Sequence, residues 1–173
     1  MNSIVLGGGC FWCTEAVFNM LKGIKITIPG YAGGSKPNPT YEEVCSETTG
    51  HAEVLYLEYE EEIIDLKTIL DVFFEMHDPT SVNKQGADEG EQYRSAIFYT
   101  DESQKNIIQM KIKEKEKELR KKIVTQVEKL DEFYPAEDYH RNYYTRNKNQ
   151  PYCNVVISPK LEKIKKEFKK ITK

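Results

Sequence analysis

The stretch "SIVLGGGCFWCTEAVF", residues 3–18, decides the fold of this chain. Its apolar start, residues 3–6, is typical of a short buried strand, and the three glycines at 7–9 end it. From Trp12 onward the apolar positions share one helical face; they are 12, 13, 16, 17, 20 and 21. We therefore predict a strand, a tight glycine turn and a helix, with Cys10 where the helix begins.

The position of Cys10 favours chemical reactivity. Unpaired N–H groups and the positive end of the helix dipole lie at a helix start, and both favour a thiolate. The thiolate is the nucleophilic form of cysteine. The preceding glycines allow a tight turn and the close approach of a substrate. The alternative is a cysteine buried in the core, which fits a glycine-flanked helix start less well.

The composition limits the class of protein. A length of 173 residues with 39% hydrophobic and 11% aromatic residues predicts one globular domain over 1–173. A net charge of -3 argues against a nucleic-acid binder. We see neither a signal peptide nor an apolar run near the ~20 residues of a membrane span. Four cysteines are too few for a disulfide scaffold, so we expect a cytoplasmic protein with reduced thiols.

The remaining pattern mixes strands and helices, which predicts an α+β sheet with helices packed on it. Predicted strands lie at 24–28, 53–59, 94–100 and 123–130. Predicted helices run from the Asp65 cap to Met76, from the Asp101 cap to about Lys122, and onward from Ser158 and Pro159 as N-cap and first helical residue. Three long loops, at 35–52, 77–93 and 133–154, are expected to meet at one site.

Several other chemistries are compatible with parts of this pattern. "CFWC", residues 10–13, has the C-x-x-C spacing of thioredoxin-like dithiols, but Phe and Trp between the cysteines argue against that fold. A zinc site has four candidate ligands but no second paired motif; they are Cys10, Cys13, Cys45 and His51.

A cysteine–histidine hydrolase and a binding module without catalysis are two further alternatives. A hydrolase would pair Cys10 with His51, His77 or His140, and the spacing supports none of these pairs. A binding module would hold a peptide between the long loops and would not need the cysteine.

Four segments in order resemble the A-type peptide methionine sulfoxide reductases: residues 7–18, 30–59, 73–100 and 133–144. The resemblance extends from about Ile4 to about Tyr152. It implies a two-layer α/β roll that reduces methionine (S)-sulfoxide, in proteins and as the free amino acid. It also implies a monomer with no metal or organic cofactor, recycled by thioredoxin and acting in the repair of oxidised proteins.

The resemblance assigns the chemistry to four residues. Cys10 would attack the sulfoxide sulfur, Glu53 would protonate the sulfoxide oxygen, and Tyr41 and Tyr93 would hydrogen-bond that oxygen. These residue types suit the reaction, because sulfoxide sulfur becomes electrophilic once its oxygen is protonated or hydrogen-bonded. The acid must be neutral at the working pH, so we expect burial to raise the pKa of Glu53.

The resemblance also assigns the substrate pocket. Phe11 and Trp12 would wall the slot for the S-methyl group, although both also suit the core. Asp88 would help to hold the site and bind the substrate amide. His51 would be structural.

The recycling cysteine is less determined. Residue 13 is Cys where many family members carry glycine, and Cys153 matches a resolving cysteine of some members. Cys153 ranks first, because its predicted loop in the C-terminal segment 150–173 would let it swing toward Cys10. Cys13 ranks second, because its sulfur is expected on the apolar helix face. Cys45, or no resolving cysteine, ranks last.

Overall fold

The computed structural model describes residues 2–173. Its strands are β1 (Asn2–Gly8), β2 (Ile24–Ala32), β3 (Ala52–Tyr59), β4 (Lys84–Gln85), β5 (Asp88–Glu89), β6 (Ser95–Tyr99), β7 (Gln126–Lys129) and β8 (Phe133–Pro135). Six of them form one sheet in the order β7-β6-β1-β3-β2-β8, and β4 pairs with β5. The β6–β7 pair is parallel and the other pairs of the large sheet are antiparallel. The predicted α+β sheet is confirmed, and it is a mixed sheet.

The helices are α1 (Phe11–Asn19), α2 (Tyr41–Cys45), α3 (Leu66–Met76), α4 (Glu102–Leu119), α5 (Tyr143–Arg146) and α6 (Ser158–Glu167). The predicted caps of α3 and α4 are confirmed. Asp65 accepts a hydrogen bond from the Thr68 N–H, and Asp101 accepts one from the Ser103 N–H, each at 2.9 Å. Such local bonds satisfy N–H groups that the helix leaves unpaired.

Two layers bury most of the apolar surface. The larger core lies between one face of the sheet and α1, α3 and α6, and includes Leu6, Phe18, Leu57, Phe73 and Ile164. A smaller cluster on the opposite face contains Val5, Val54 and Phe98. Helices therefore cover one face of the sheet, as predicted for an α+β roll.

The turn between β1 and α1 places Cys10 just beyond the C-terminal end of β1, a central strand of the sheet. Gly9 has a φ of +96°, a conformation that L side chains rarely adopt. Cys10 is the extended N-cap of α1 and uses its side chain for no capping bond. Since β1 lies between β3 and β6, the cysteine emerges next to side chains carried by both neighbours.

The start of the C-terminal helix differs from the prediction. Helical backbone begins at Pro151, widens into a π-type turn at Cys153–Ile157 and continues as α6, so Ser158 is not an N-cap. Pro159 accounts for the wide turn, because proline lacks an N–H and its ring crowds the carbonyl four residues earlier. Cys153 is completely buried in this turn, and its predicted loop placement is wrong.

The third predicted loop, 133–154, is also more ordered than its sequence suggested. It contributes β8, which pairs with β2 at the edge of the sheet, and the short helix α5. Elements of three and four residues are too short to show a hydrophobic period. β7 is likewise shorter than the strand predicted at 123–130.

The end of the chain is docked on the body. Leu161 and Ile164 of α6 are buried in the main core. Beyond α6, the Lys22 N–H donates to the Ile171 carbonyl at 2.7 Å, and the Lys173 N–H donates to the Met20 carbonyl at 2.8 Å. The predicted docking of this helix is confirmed. None of the helices between residues 2 and 173 combines the length and apolar character needed to cross a membrane.

Candidate active site

Cys10 lies in a nearly closed environment, with 8% of its surface exposed. Burial raises the pKa of its thiol well above the usual value, and the nearby Glu53 and Cys13 raise it further. The Trp12 N–H and the Tyr152 side chain act in the opposite direction with smaller effect. In the substrate-free protein, burial therefore opposes the ionisation that the donors at the helix start favour.

Glu53 on β3 is the buried carboxyl next to this cysteine. Its Oε1 accepts a hydrogen bond from the Phe11 N–H at 3.2 Å, while its Oε2 has no partner among residues 2–173. Burial raises the pKa of Glu53 to about 8, the Phe11 N–H lowers it in part, and Asp88 raises it. A carboxyl with this pKa carries its proton at neutral pH, as the sequence predicted for the acid.

Two phenols lie close to that carboxyl. Tyr41 begins α2, and Tyr93 ends the short turn Glu91–Tyr93 that leads into β6. Burial raises the pKa of both hydroxyls, and the charge of Glu53 raises each further. Both phenols therefore keep their protons near neutral pH and are available as hydrogen-bond donors. The structure thus brings Cys10 and Glu53 together with the two tyrosines that the resemblance assigned.

Phe11 is completely buried behind the site. Its ring packs against Tyr31, Tyr41 and His140, with centroid distances of 5.7, 6.3 and 4.9 Å. This aromatic packing fixes the first turn of α1, including the N–H that holds Glu53. Phe11 therefore supports the site from within the core.

Trp12 is partly exposed and is held by three residues of the 133–154 stretch. Its Nε1 donates to His140 Nδ1 at 2.9 Å. Its indole stacks on Tyr143 with a centroid distance of 3.7 Å and an interplanar angle of 6°, and meets the Tyr152 ring edge-on at 5.9 Å. Of the two predicted pocket residues, Trp12 is the one that presents accessible aromatic surface.

Asp88 reaches the cysteines through a tyrosine. The Tyr152 hydroxyl donates to Asp88 Oδ2 at 2.6 Å and lies 3.9 Å from Cys13 Sγ. It also contributes a hydrogen bond that lowers the pKa of Cys10. Tyr152 therefore joins the β4–β5 hairpin to the cysteine-bearing start of α1.

Two site residues, Tyr143 and Tyr152, went unassigned in the sequence, and a third, His140, was considered only as a hydrolase partner of Cys10. All lie in the stretch 133–154, which was interpreted as a loop. The available signal was its aromatic content, since such rings are uncommon in a freely solvated loop. Their partners on α1, however, lie more than 120 residues away in sequence.

The remaining histidines have structural partners. His51 Nδ1 accepts from the Gly34 N–H at 3.0 Å, and His51 Nε2 bonds to the Lys36 carbonyl at 2.7 Å. Both ring nitrogens are thus engaged, which removes His51 from the zinc set considered above. His77 bonds to the Phe73 carbonyl and to Ser95. The structural role predicted for His51 fits these bonds.

All four cysteines are free thiols. Cys10, Cys13 and Cys153 are buried in the main core, and Cys45 is half-buried at the end of α2. The charge of Cys13 affects the pKa of Cys10, whereas that of Cys153 affects the pKa of Cys13. Of the other three cysteines, Cys13 is therefore the one whose charge affects the pKa of Cys10.

Solved structures of known enzymes share this fold. The reduced form of Mxr1 from Saccharomyces cerevisiae superposes with a TM-score of 0.82 at 36% identity, covering 87% of this chain and 88% of that one. Methionine sulfoxide reductase A of Corynebacterium diphtheriae gives 0.76 at 32% identity, covering 84% and 74%. Mxr1 in complex with Trx2 gives 0.58 at 29% identity, covering 82% and 83%. The fold and the cysteine at its first helix define the class, a sulfoxide-reducing oxidoreductase.

The sequence comparisons are more specific. The family model for peptide methionine sulfoxide reductase matches residues 2–172. A peptide methionine sulfoxide reductase MsrA of Saccharolobus solfataricus is 52% identical over 168 residues, 97% of this chain and 95% of that protein. One from Campylobacter jejuni is 54% identical over 164 residues, 95% and 98% of the two chains. The chain belongs to the peptide methionine sulfoxide reductase family.

Proposed function

We propose that this enzyme reduces the S-epimer of methionine sulfoxide, in polypeptides and as the free amino acid, by oxygen transfer to Cys10. The observation that carries the proposal is the Glu53 carboxyl. It is buried beside Cys10, it keeps its proton at neutral pH, and its Oε2 is unpartnered among the described residues. A buried donor without a partner is costly unless a ligand uses it.

The first step joins these groups. Glu53 donates its proton to the sulfoxide oxygen, and Tyr41 and Tyr93 donate hydrogen bonds, so the sulfur becomes electrophilic. The Cys10 sulfur bonds to it while the thiol proton passes to the Glu53 carboxylate. The hydroxyl group then moves to Cys10 as the sulfur–oxygen bond and the new sulfur–sulfur bond break. The products are methionine and a Cys10 sulfenic acid, so the thiol and the sulfoxide together supply every atom.

The walls of the pocket account for the proposed selectivity for the S-epimer. The accessible face of Trp12, backed by Phe11, receives the S-methyl group, and Asp88 with Tyr152 faces the substrate amide. With the methyl slot and the oxygen donors fixed in rigid, buried elements, one hand of the sulfoxide places both groups correctly. The opposite hand exchanges them and loses the oxygen contacts.

The test is mass spectrometry of the reduced enzyme after one equivalent of methionine sulfoxide, without added reductant. With the S-epimer, we expect one methionine formed per enzyme and a product carrying either one added oxygen or one disulfide. With the R-epimer, the protein should stay reduced. Equal reaction with both epimers would contradict the pocket assignment, and no methionine from either would contradict the function.

Recycling requires a second thiol to attack the sulfenic acid, releasing water and leaving a disulfide. We infer that Cys13 acts first. It stands one helical turn from Cys10 at a helix start, where C-x-x-C pairs form disulfides. Cys153, ranked first from the sequence, is sealed in the Cys153–Ile157 turn, and its attack on Cys10 requires that turn to open. In a second step, the Cys153 thiol can attack the Cys13 sulfur, which forms a Cys13–Cys153 disulfide and releases Cys10 as a thiol.

The recycling prediction compares two serine variants. Both Cys13→Ser and Cys153→Ser should form one methionine per enzyme, because neither residue takes part in oxygen transfer. Cys13→Ser should then stall as a sulfenic acid, trappable by dimedone, while Cys153→Ser should form a Cys10–Cys13 disulfide visible by peptide mapping. A Cys45→Ser variant serves as the control and should cycle normally. If Cys13→Ser forms a Cys10–Cys153 disulfide at the wild-type rate, the order proposed here is wrong.

The final reductant in the proposal is thioredoxin. Support comes from the fold shared with Mxr1, which has been solved in complex with Trx2. We also propose a single catalytic domain over 1–173, acting as a monomer in the cytoplasm. The four free thiols suit a reducing compartment.

A dithiol exchanger is the competing function, and it would use the same "CFWC" segment. It would reduce insulin disulfides, require both Cys10 and Cys13, and be indifferent to Glu53. Sulfoxide turnover that depends on Glu53 separates the two functions.

A further inference from the structure

A cavity of about 560 Å³ extends from Cys10 to the C-terminal helix. Its walls are the end of α3, the β4–β5 hairpin and residues 152–164. Of the proposed sulfoxide site, Cys10, Asp88 and Tyr152 line it, whereas Trp12 and Glu53 do not. Pockets of this volume hold ligands larger than one side chain. The cavity therefore has room for residues that flank an oxidised methionine.

The acidic groups in the cavity wall already have partners. Glu75 accepts from Lys115 Nζ at 3.3 Å, and Asp78 accepts from the Thr80 N–H at 2.9 Å. Asp88 is bonded to Tyr152 as described above. Glu75 is thus paired with lysines, whereas Asp78 and Asp88 keep their negative charges and are bonded to neutral donors.

The two lysines of the wall differ from each other. Lys163 Nζ lies 3.3 Å from the Glu75 carbonyl and 3.9 Å from Glu75 Oε2, so it is paired. Lys160 has no carboxylate within 4.0 Å and no hydrogen-bond partner in the part of the chain that the structure describes. Lys160 lines the cavity, and its charge lowers the pKa of Cys13.

The surroundings of Lys160 strengthen its attraction for an anion. Val156, Lys160 and Ile164 follow each other at four-residue spacing, so they share the helix face that lines the cavity. An ammonium between apolar side chains is less screened than one in open water. Lys160 is itself only half-exposed.

We propose that Lys160 forms a subsite for an acidic side chain of the substrate polypeptide, close in sequence to the oxidised methionine. The inference rests on the proposed function, and it specifies the class of polypeptide that the enzyme reduces best. Residues flanking the methionine must leave the site along an accessible surface. The cavity joins Cys10 to this unpaired ammonium, and a carboxylate is its complementary partner.

The test uses short peptides with one methionine (S)-sulfoxide and with Glu, Gln or Lys placed at each position within three residues of it. At low ionic strength, the wild-type kcat/KM should be about two- to fivefold higher for the best Glu peptide than for its Gln counterpart, the range of a partly exposed ion pair. The preference should appear in KM and fade at high salt.

Charge variants identify the residue responsible. Lys160→Gln should bring the Glu-to-Gln ratio of kcat/KM to about one, and Lys160→Glu should favour the Lys peptide instead. Lys165→Glu is the matched control, because Lys165 is exposed on the same helix outside the cavity and carries the same charge change. It should keep the wild-type ratio.

Two results would overturn the subsite: a Lys160→Glu enzyme that keeps the wild-type order of peptides, or a Lys165→Glu enzyme that loses it equally. Titration calorimetry with the reduced, methionine-containing peptides measures the same preference without turnover. Absence of sulfoxide reduction by the wild type would therefore contradict the proposed function, while the binding order would still decide the role of Lys160.

Discussion

Cys10→Ser should abolish reduction of methionine (S)-sulfoxide, with less than about 1% of wild-type activity remaining, because a serine hydroxyl is a far weaker nucleophile than a thiolate. The measurement is methionine formed per enzyme in a single turnover, which does not depend on recycling. The substitution replaces one buried sulfur by oxygen within an extended N-cap whose side chain makes no capping bond, so the fold should survive.

Two controls accompany this variant. Circular dichroism and thermal unfolding should match the wild type within a few degrees, the range of a small change in stability in a chain of this size. Cys45→Ser removes another thiol near Tyr41 and should keep full single-turnover activity. Activity of Cys10→Ser above about 1% would place the nucleophile elsewhere.

Glu53→Gln should slow the sulfoxide step by about 10²-fold or more near pH 7, the usual range for loss of a general acid. Glutamine keeps the size of the side chain and an oxygen for the Phe11 N–H, but it cannot transfer a proton. The rate constant to compare is that of single-turnover methionine formation at saturating substrate.

The rate advantage of the wild type over Glu53→Gln should decrease as the pH rises. Burial raises the pKa of Glu53 to about 8, so below that pH the carboxyl carries its proton, and above it the proton and the catalytic advantage are lost. The carboxylate formed at high pH also opposes ionisation of Cys10. The ratio of wild-type to Glu53→Gln rate constants should therefore be constant from pH 6 to 7 and fall above about 8. Because Glu53→Gln lacks that charge, its Cys10 ionises more readily at high pH, which makes the ratio fall further.

Glu15→Gln is the matched control for this profile. Glu15, on α1, is another buried carboxyl, and burial raises its pKa to about 7. Its Oε1 accepts a hydrogen bond from the Asn142 N–H. The ratio of wild-type to Glu15→Gln rate constants should show no fall near pH 8. A flat ratio for Glu53→Gln over the same range would contradict the role of Glu53 as acid.

Features set by local sequence could be predicted. The glycines before Cys10, the caps at Asp65 and Asp101, and the period of the apolar residues each act over a few neighbours along the chain. The strand, the turn and the helices that depend on them lie where the sequence placed them. The family resemblance likewise required only matched segments, and it named Cys10 and Glu53 before their geometry was known.

Only the tertiary structure determines how deeply the site residues are buried and which distant residues they contact. Helix-start donors favour a Cys10 thiolate, whereas burial by distant segments raises the pKa of the thiol in the substrate-free protein. A proline-bearing sequence predicted a loop at Cys153, but packing closes it into a buried turn. The cage around Trp12 comes from residues more than 120 positions away. Local hydrogen bonds and hydrophobic periodicity depend on residues close in sequence, so the sequence predicts them. Desolvation and long-range contacts arise only when the whole chain is packed.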